Sequence, residues 1–234
     1  MKILLIIPAY NEQENILSTI SDIKANADFV DFVVINDCST DATREILMRS
    51  GASYLDLPVN LGIGGGVQTG YRYAREKGYD IAIQFDGDGQ HCAAYVQDLI
   101  APIVAGEADF TIGSRFLRKE GFQSSGLRRM GINFLSSLIY FLCGTKIYDV
   151  TSGMRAVNRK MIGYFAENYA QDYPEPEAIL AASMEGARIQ EVPVQMRERT
   201  GGISSINALK PIYYMIKVSL ALMISRVTYR RKMR

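Results

Sequence analysis

The chain has 234 residues, 48% of them hydrophobic and 22% charged, which fits one large α/β domain or two small ones and excludes a disordered or fibrous protein. Twenty-six Lys and Arg against 25 Asp and Glu leave a net charge of +1, so there is no bulk attraction to nucleic acid. Three cysteines without CxxC spacing exclude a disulfide framework or a structural zinc site, and a reducing cytosol is the expected setting.

Residues 3–7 are an apolar run that stops at Pro8, too short for the core of a signal peptide, and they read as a buried strand. Strand-like runs at 2–7, 29–35, 53–57, 80–85 and 109–112 alternate with helical patterns at 12–26, 42–49, 67–77 and 93–105. This is the rhythm of a mostly parallel sheet with helices on both faces. Past Arg115 the rhythm changes. A Gly/Ser loop at 121–126 leads to a helix at 127–143, uncharged from 132 onward and expected to be mostly buried. A connection at 148–157, a helix at 176–186 and a strand at 188–194 follow.

In open α/β sheets ligands gather at the carboxyl ends of the strands. The second of these ends, Asn36-Asp37-Cys38-Ser39-Thr40-Asp41, offers acceptors for a base edge and a ribose; capping of the next helix accounts for one of them, but not for Asp37. Gly62, Gly64, Gly65 and Gly66 precede an amphipathic helix without the order of a dinucleotide fingerprint or a P-loop. They read either as close backbone approach to phosphate or as a tight turn that lets a helix pack. Asp86-Gly87-Asp88-Gly89-Gln90 follows an apolar strand, where two carboxylates and an amide oxygen can converge on a hard cation; the alternative is an ordinary DG turn.

Taken in order, Pro8-Ala9-Tyr10-Asn11-Glu12, the 36–41 segment, Asp86 to His91, Gly113-Ser114-Arg115 and Asp149-Val150-Thr151-Ser152-Gly153-Met154-Arg155 resemble the family 2 glycosyltransferases. The branch they resemble is the polyprenyl-phosphate sugar transferases of the dolichol-phosphate mannose synthase type, and the likeness spans about residues 2–206. It implies a GT-A, Rossmann-like α/β fold, with a nucleotide-sugar half at 1–115, an acceptor half at 116–206 and an amphipathic basic helix at 207–234. By resemblance Pro8, Ala9, Tyr10, Glu12, Asp37, Ser39, Gly66, Gln68, Asp86, Gly87 and Asp88 bind the nucleotide sugar, UDP being favoured by the generality of the family. Asp86, Asp88 and Gln90 would hold Mg²⁺ or Mn²⁺, while His91 reads as a structural cap.

Arg115, Arg129 and Arg199 match positions near donor and acceptor phosphates, and a guanidinium suits that task because it stays charged and forks onto phosphate oxygens. Arg199 keeps an Arg-x-x-Gly-x-Ser spacing through Ser204, but Ser205 replaces a basic residue that many relatives carry. Arg128 and Arg197 read as surface ion pairs. An ionised lipid phosphate needs no general base, whereas a sugar hydroxyl does, and Asp149, Glu175 and Glu177 are the carboxylates on offer. Asp149 and Glu177 are the favoured acceptor-site residues.

On a helical wheel of the C-terminal segment, Lys210, Tyr214, Lys217, Ala221, Ser225 and Thr228 share one narrow side, and the rest is apolar until Arg226. With Arg230, Arg231, Lys232 and Arg234 behind it, the helix suits the inner membrane surface, or else a core-packing or homo-oligomer contact. The expected activity is inverting, metal-dependent transfer from a nucleotide sugar to a polyprenyl phosphate or lipid-linked glycan at the cytoplasmic face. Transfer to a soluble or polysaccharide hydroxyl, sugar-1-phosphate nucleotidyl transfer and a silent nucleotide-binding scaffold are the alternatives.

Overall fold

The computed structural model describes residues 1–118, 126–197 and 211–232. Strand β1 (Ile3–Ala9) lies inside the sheet, and its last six residues are buried, as a strand covered on both faces must be. Successive side chains point to opposite faces. Leu4 and Ile6 therefore join one core layer while Leu5 and Ile7 join the other. Strands β2 (Asp31–Asn36), β3 (Tyr54–Asp56), β4 (Ile81–Gln84), β5 (Phe110–Ser114), β6 (Arg155–Asn158) and β7 (Ile189–Pro193) complete one sheet in the order β3-β2-β1-β4-β6-β5-β7. All pairs are parallel except those of β6, which runs antiparallel to β4 and to β5.

β6 corrects the reading of 148–157 as a connection. Its residues are Arg-Ala-Val-Asn, a four-residue strand whose first position carries a buried arginine, so neither alternation nor an apolar run marks it.

Helices α1 (Ile16–Asn26), α2 (Thr43–Ser50), α3 (Gly62–Glu76) and α4 (Val96–Val104) connect the parallel strands, and α4 is preceded by a short 3-10 turn at Ala93–Tyr95. α3 begins at Gly62, five residues earlier than the pattern predicts, so Gly64, Gly65 and Gly66 lie inside it. Helical glycine costs about 1 kcal/mol relative to alanine. Here it permits contact: a methyl at Gly64 would sit 2.5 Å from Gln171 Cα, and one at Gly70 would sit 2.9 Å from Ile6 Cγ1.

The remaining helices, α5 (Gly126–Cys143), α6 (Arg159–Glu167), α7 (Pro174–Met184) and α8 (Pro211–Lys232), gather on the β1 Leu4/Ile6 side with α3. α5 is not mostly buried. Ile132, Leu135 and Ile139 enter the core, but Met130, Phe134, Tyr140 and Phe141 are exposed, the last at 84%. α8 packs on α5 and α7 through Val218 and Leu222, both at 0% exposure. The side of α8 that looks polar on the wheel turns partly inward: Tyr214 meets Tyr173 edge to face, and Ser225 Oγ donates to Glu177. The apolar arc turns outward, with Tyr213, Ile216, Leu220, Met223, Ile224 and Val227 exposed. No helix among the described residues is long and apolar enough to cross a membrane.

Candidate active site

The ends of β1 and β2 are stitched into one rim. Asn11 and Cys38 both adopt positive φ, 56° and 57°, a conformation that residues other than glycine seldom take. Cross-loop hydrogen bonds hold them there: the Asn11 N–H donates to Ser39 Oγ at 3.0 Å, and the Thr40 N–H donates to Asn11 Oδ1 at 2.8 Å. The Glu12 N–H donates to Thr43 Oγ1 at 2.9 Å, and Gln13 N–H to Asp41 Oδ2 at 3.2 Å. Tyr10 stands out from this rim at 48% exposure. Ala9 does not line it, because its side chain lies in the core beneath the sheet.

Asp37 is buried, and its Oδ1 accepts from the Leu61 N–H at 2.7 Å. It therefore holds the entry to α3, not that of the next helix α2, while Oδ2 makes no hydrogen bond among the described residues. Gly66 lies over Pro8, whose Cβ would be 3.7 Å from a methyl on that glycine.

Past the end of β4, Asp86 and Asp88 flank Gly87 with their side chains partly open to solvent. His91 is buried edge to face against Phe85, and its Nδ1 accepts from the Asp86 N–H at 2.9 Å. That bond places the ring proton on Nε2, which lies 3.6 Å from Asp86 Oδ2. Gln84 Nε2 reaches Asp86 Oδ1 at 3.4 Å, and the buried Tyr169 hydroxyl donates to Gln84 Oε1 at 3.1 Å. The Gln90 N–H donates to Asp88 Oδ1 at 3.0 Å, and Gln90 O accepts from the Arg197 N–H at 2.8 Å. The Arg197 side chain reaches Asp22 at 3.1 Å.

No group of three or more His, Cys, Asp or Glu among the described residues could hold a metal ion. Two carboxylates and one amide oxygen still fit a magnesium-type ion, which takes one or two carboxylates and leaves its other positions to water and phosphate oxygens.

At the end of β5, Arg115 forms a buried bidentate ion pair with Asp149, Nε to Oδ2 at 2.7 Å and Nη2 to Oδ1 at 2.6 Å. Asp149 has no exposed surface and also accepts the Arg115 N–H. The Asp149 carboxylate and two nitrogens of the Arg115 guanidinium are thus engaged with one another. Arg129, on the first turn of α5, lies 3.4 Å from the centre of the Phe116 ring, and its buried Nη1 has no hydrogen-bond partner among the described residues. Arg128 is exposed. No carboxylate pairs with it among the described residues, and desolvation of its guanidinium, followed by the charge of Arg115, pushes its pKa down.

Arg199 lies outside the described residues, as does the 206/207 boundary. Gln68 and Glu177 both line a groove of about 470 Å³ between α3, α6, α7 and α8. Gln68 Nε2 donates to Ala166 O there, and burial raises the Glu177 carboxyl against the opposing bond from Ser225.

A family model described as "Glycosyl transferase family 2" matches residues 4–165. The chain belongs to that family. This glycosyltransferase is 29% identical over 213 residues to a UDP-N-acetylglucosamine–dolichyl-phosphate N-acetylglucosaminyltransferase of Methanococcus voltae, covering 82% of this chain and 84% of the relative. It is 28% identical to an undecaprenyl-phosphate mannosyltransferase of Micrococcus luteus, covering 88% of each chain. Its fold matches that of glucosyl-3-phosphoglycerate synthase from Mycobacterium tuberculosis, crystallised with Mn²⁺, UDP and product, at a TM-score of 0.72 and 21% identity, covering 96% of this chain and 79% of that one. The transferase fold is thus GT-A, a mostly parallel sheet between helices.

Arg155 and Gly153, which the sequence left without a role, and Glu175, offered there only as one of three carboxylates, lie together in the transferase. Arg155, 1% exposed, donates to the carbonyls of Ser152, Glu175 and Val150 at 2.6, 2.6 and 3.2 Å. Glu175 is held toward its protonated form by burial, with Arg155 opposing and Asp86 adding to the effect. Gly153 lies against the Asp86 carboxylate. The quoted 149–155 motif contained two of them, but only the antiparallel strand reveals what they face.

Proposed function

We propose that this enzyme transfers a sugar, with inversion, from a nucleoside diphosphate sugar to a polyprenyl phosphate at a membrane surface. The observation that carries the acceptor class is Arg129: a guanidinium stacked on Phe116, with a buried N–H that lacks a partner among the described residues, is suited to a phosphate oxygen. The names of the Methanococcus and Micrococcus relatives, which specify dolichyl and undecaprenyl phosphates, favour the same class. In this reading an ionised acceptor oxygen attacks the anomeric carbon from the face opposite the diphosphate. The bond from that carbon to the diphosphate oxygen breaks, and the nucleoside diphosphate leaves with the electron pair.

No proton need be removed from such an acceptor, which agrees with Asp149 being committed to Arg115. Pro8, Tyr10, Glu12, Asp37 and Ser39 form the rim assigned to the nucleoside. Asp86, Asp88 and Gln90 are assigned to Mg²⁺ or Mn²⁺, which when bound offsets the charge of the departing diphosphate. The Mn²⁺ and UDP of the Mycobacterium synthase support a divalent ion and a UDP-sugar here. The exposed apolar sides of α5 and α8 are assigned to the lipid surface, on the cytoplasmic face where nucleotide sugars are made.

The deciding experiment is transfer of label from a panel of UDP- and GDP-sugars to an extracted polyprenyl phosphate, with Mn²⁺, Mg²⁺ or chelator. Metal-dependent labelled lipid is expected, lost in Asp88→Ala with the fold intact. Label only on a water-soluble acceptor overturns the lipid reading, pyrophosphate release indicates nucleotidyl transfer, and no turnover with any donor indicates a scaffold.

A further inference from the structure

The antiparallel register that sequence reasoning missed sets up a contact at the cation loop. β4 and β6 pair Ile81 with Asn158 through Gln84 with Arg155, and continuing that register by two residues brings Gly153 opposite Asp86. The Asp86 carboxylate occupies the space in which a side chain at 153 would stand. A methyl there would overlap Oδ2 and come within 2.9 Å of Cγ and 3.0 Å of Oδ1. Gly153 has no positive φ, so the requirement for glycine is one of room and not of backbone conformation.

The segment under Asp86 is itself pinned. Arg155 gathers the carbonyls of Val150, Ser152 and Glu175 with one buried guanidinium, tying the 150–153 turn to the start of α7. Ser152 Oγ accepts from the Met154 N–H at 3.3 Å. Gln84 and His91 stand beside the two carboxylate oxygens at 3.4 and 3.6 Å. Asp86 is thus enclosed on three sides, and the side at Gly153 is defined by a missing side chain.

The geometry points to Gly153 as a positioning residue for the metal-binding carboxylate: its bare backbone is the shelf on which Asp86 rests, and Arg155 fixes the height of that shelf. This rests on the assignment of Asp86 to the metal. Residues that orient a ligand typically change metal affinity by about 10- to 100-fold when altered.

The test is Mn²⁺ binding, read by electron paramagnetic resonance with UDP present, in the full chain and in Gly153→Ala. At least about tenfold weaker binding is expected, with Gly163→Ala, where an added methyl meets nothing within 4 Å, matching wild type. Thermal unfolding of a double-mutant cycle with Asp86→Gly supplies a readout that needs no metal. Gly153→Ala is expected to lower the Tm in the wild-type background and to be tolerated once the carboxylate is gone. Unchanged Mn²⁺ affinity in Gly153→Ala, or an equal loss of Tm in both backgrounds, overturns the shelf. If wild type and Asp86→Asn bind Mn²⁺ equally, the metal assignment itself fails and the positioning role falls with it.

Discussion

Arg115 and Arg129 sit at opposite ends of a range set by their partners. Arg115 is 7% exposed and its carboxylate 0%, so two buried charges offset one another. Removing one partner of such a pair typically costs about 3–5 kcal/mol, since the survivor stays buried and uncompensated. Asp149→Ala is therefore expected to lose most of its stability in urea, a result that a catalytic role alone does not produce. Arg129 presents the opposite case. It has no carboxylate among the described residues and stacks on Phe116, so Arg129→Ala forfeits only a cation–π contact of about 0.5–2 kcal/mol. Turnover is expected to fall on the order of 10²-fold, and Arg129→Lys to rescue little, because an ammonium neither stacks nor forks. Turnover within about threefold of wild type in Arg129→Ala would end the phosphate assignment. The two arginines were indistinguishable in the sequence. Arg115 and Asp149 are 34 positions apart, and which guanidinium is consumed by a carboxylate is decided by the fold.

Among the elements, the far side of the sheet depends on Asp109, which precedes β5 and joins three strands. Its carboxylate accepts from the Arg188 backbone and side chain ahead of β7, and from Asn158 at the end of β6. The Arg188 hydrogen bond is the main reason its pKa falls from 3.8 to about 2. A carboxyl depressed in the fold stabilises it fully above its unfolded pKa, and that contribution disappears as pH drops through the folded value. Urea midpoints measured from about pH 5 to about pH 2 should fall for wild type between 3.8 and about 2 through this residue. Asp109→Asn should be less stable near neutrality and flatter across that window; parallel curves would remove Asp109 from the acid response. Legibility followed the same geography. β1, β2 and β4 are apolar runs closed by polar turns, so the parallel half and its carboxyl-end loops could be read directly. β6 could not, because its only long side chain is an arginine satisfied by carbonyls of the preceding turn and of Glu175 in α7, and with it went the register that sets Gly153 under Asp86.

For the whole molecule the open question is what covers α8. A helical wheel sorts residues into stripes but does not say which stripe faces the protein. Here Val218 and Leu222 are fully buried, whereas Ile216, Leu220 and Ile224 are 56%, 49% and 64% exposed. Deleting the helix would strip the core of α5 and α7, so substitution is the cleaner test. Ile216→Ser, Leu220→Ser and Ile224→Ser together should leave the Tm within a few degrees, since none of the three supplies a fully buried side chain. If the face rests on lipid, wild type should pellet with anionic vesicles. Each lost aliphatic removes about 1.5–3 kcal/mol of burial at most, so the triple variant should bind at least on the order of 10²-fold more weakly. Salt should weaken wild-type binding only in part, because it screens the Lys217 and Arg226 contribution and leaves apolar burial untouched. A second copy of the chain predicts differently: wild type would ignore vesicles and sediment as a dimer, and the triple variant would sediment as a monomer. Equal vesicle binding by both proteins would place the lipid contact somewhere other than this face of α8.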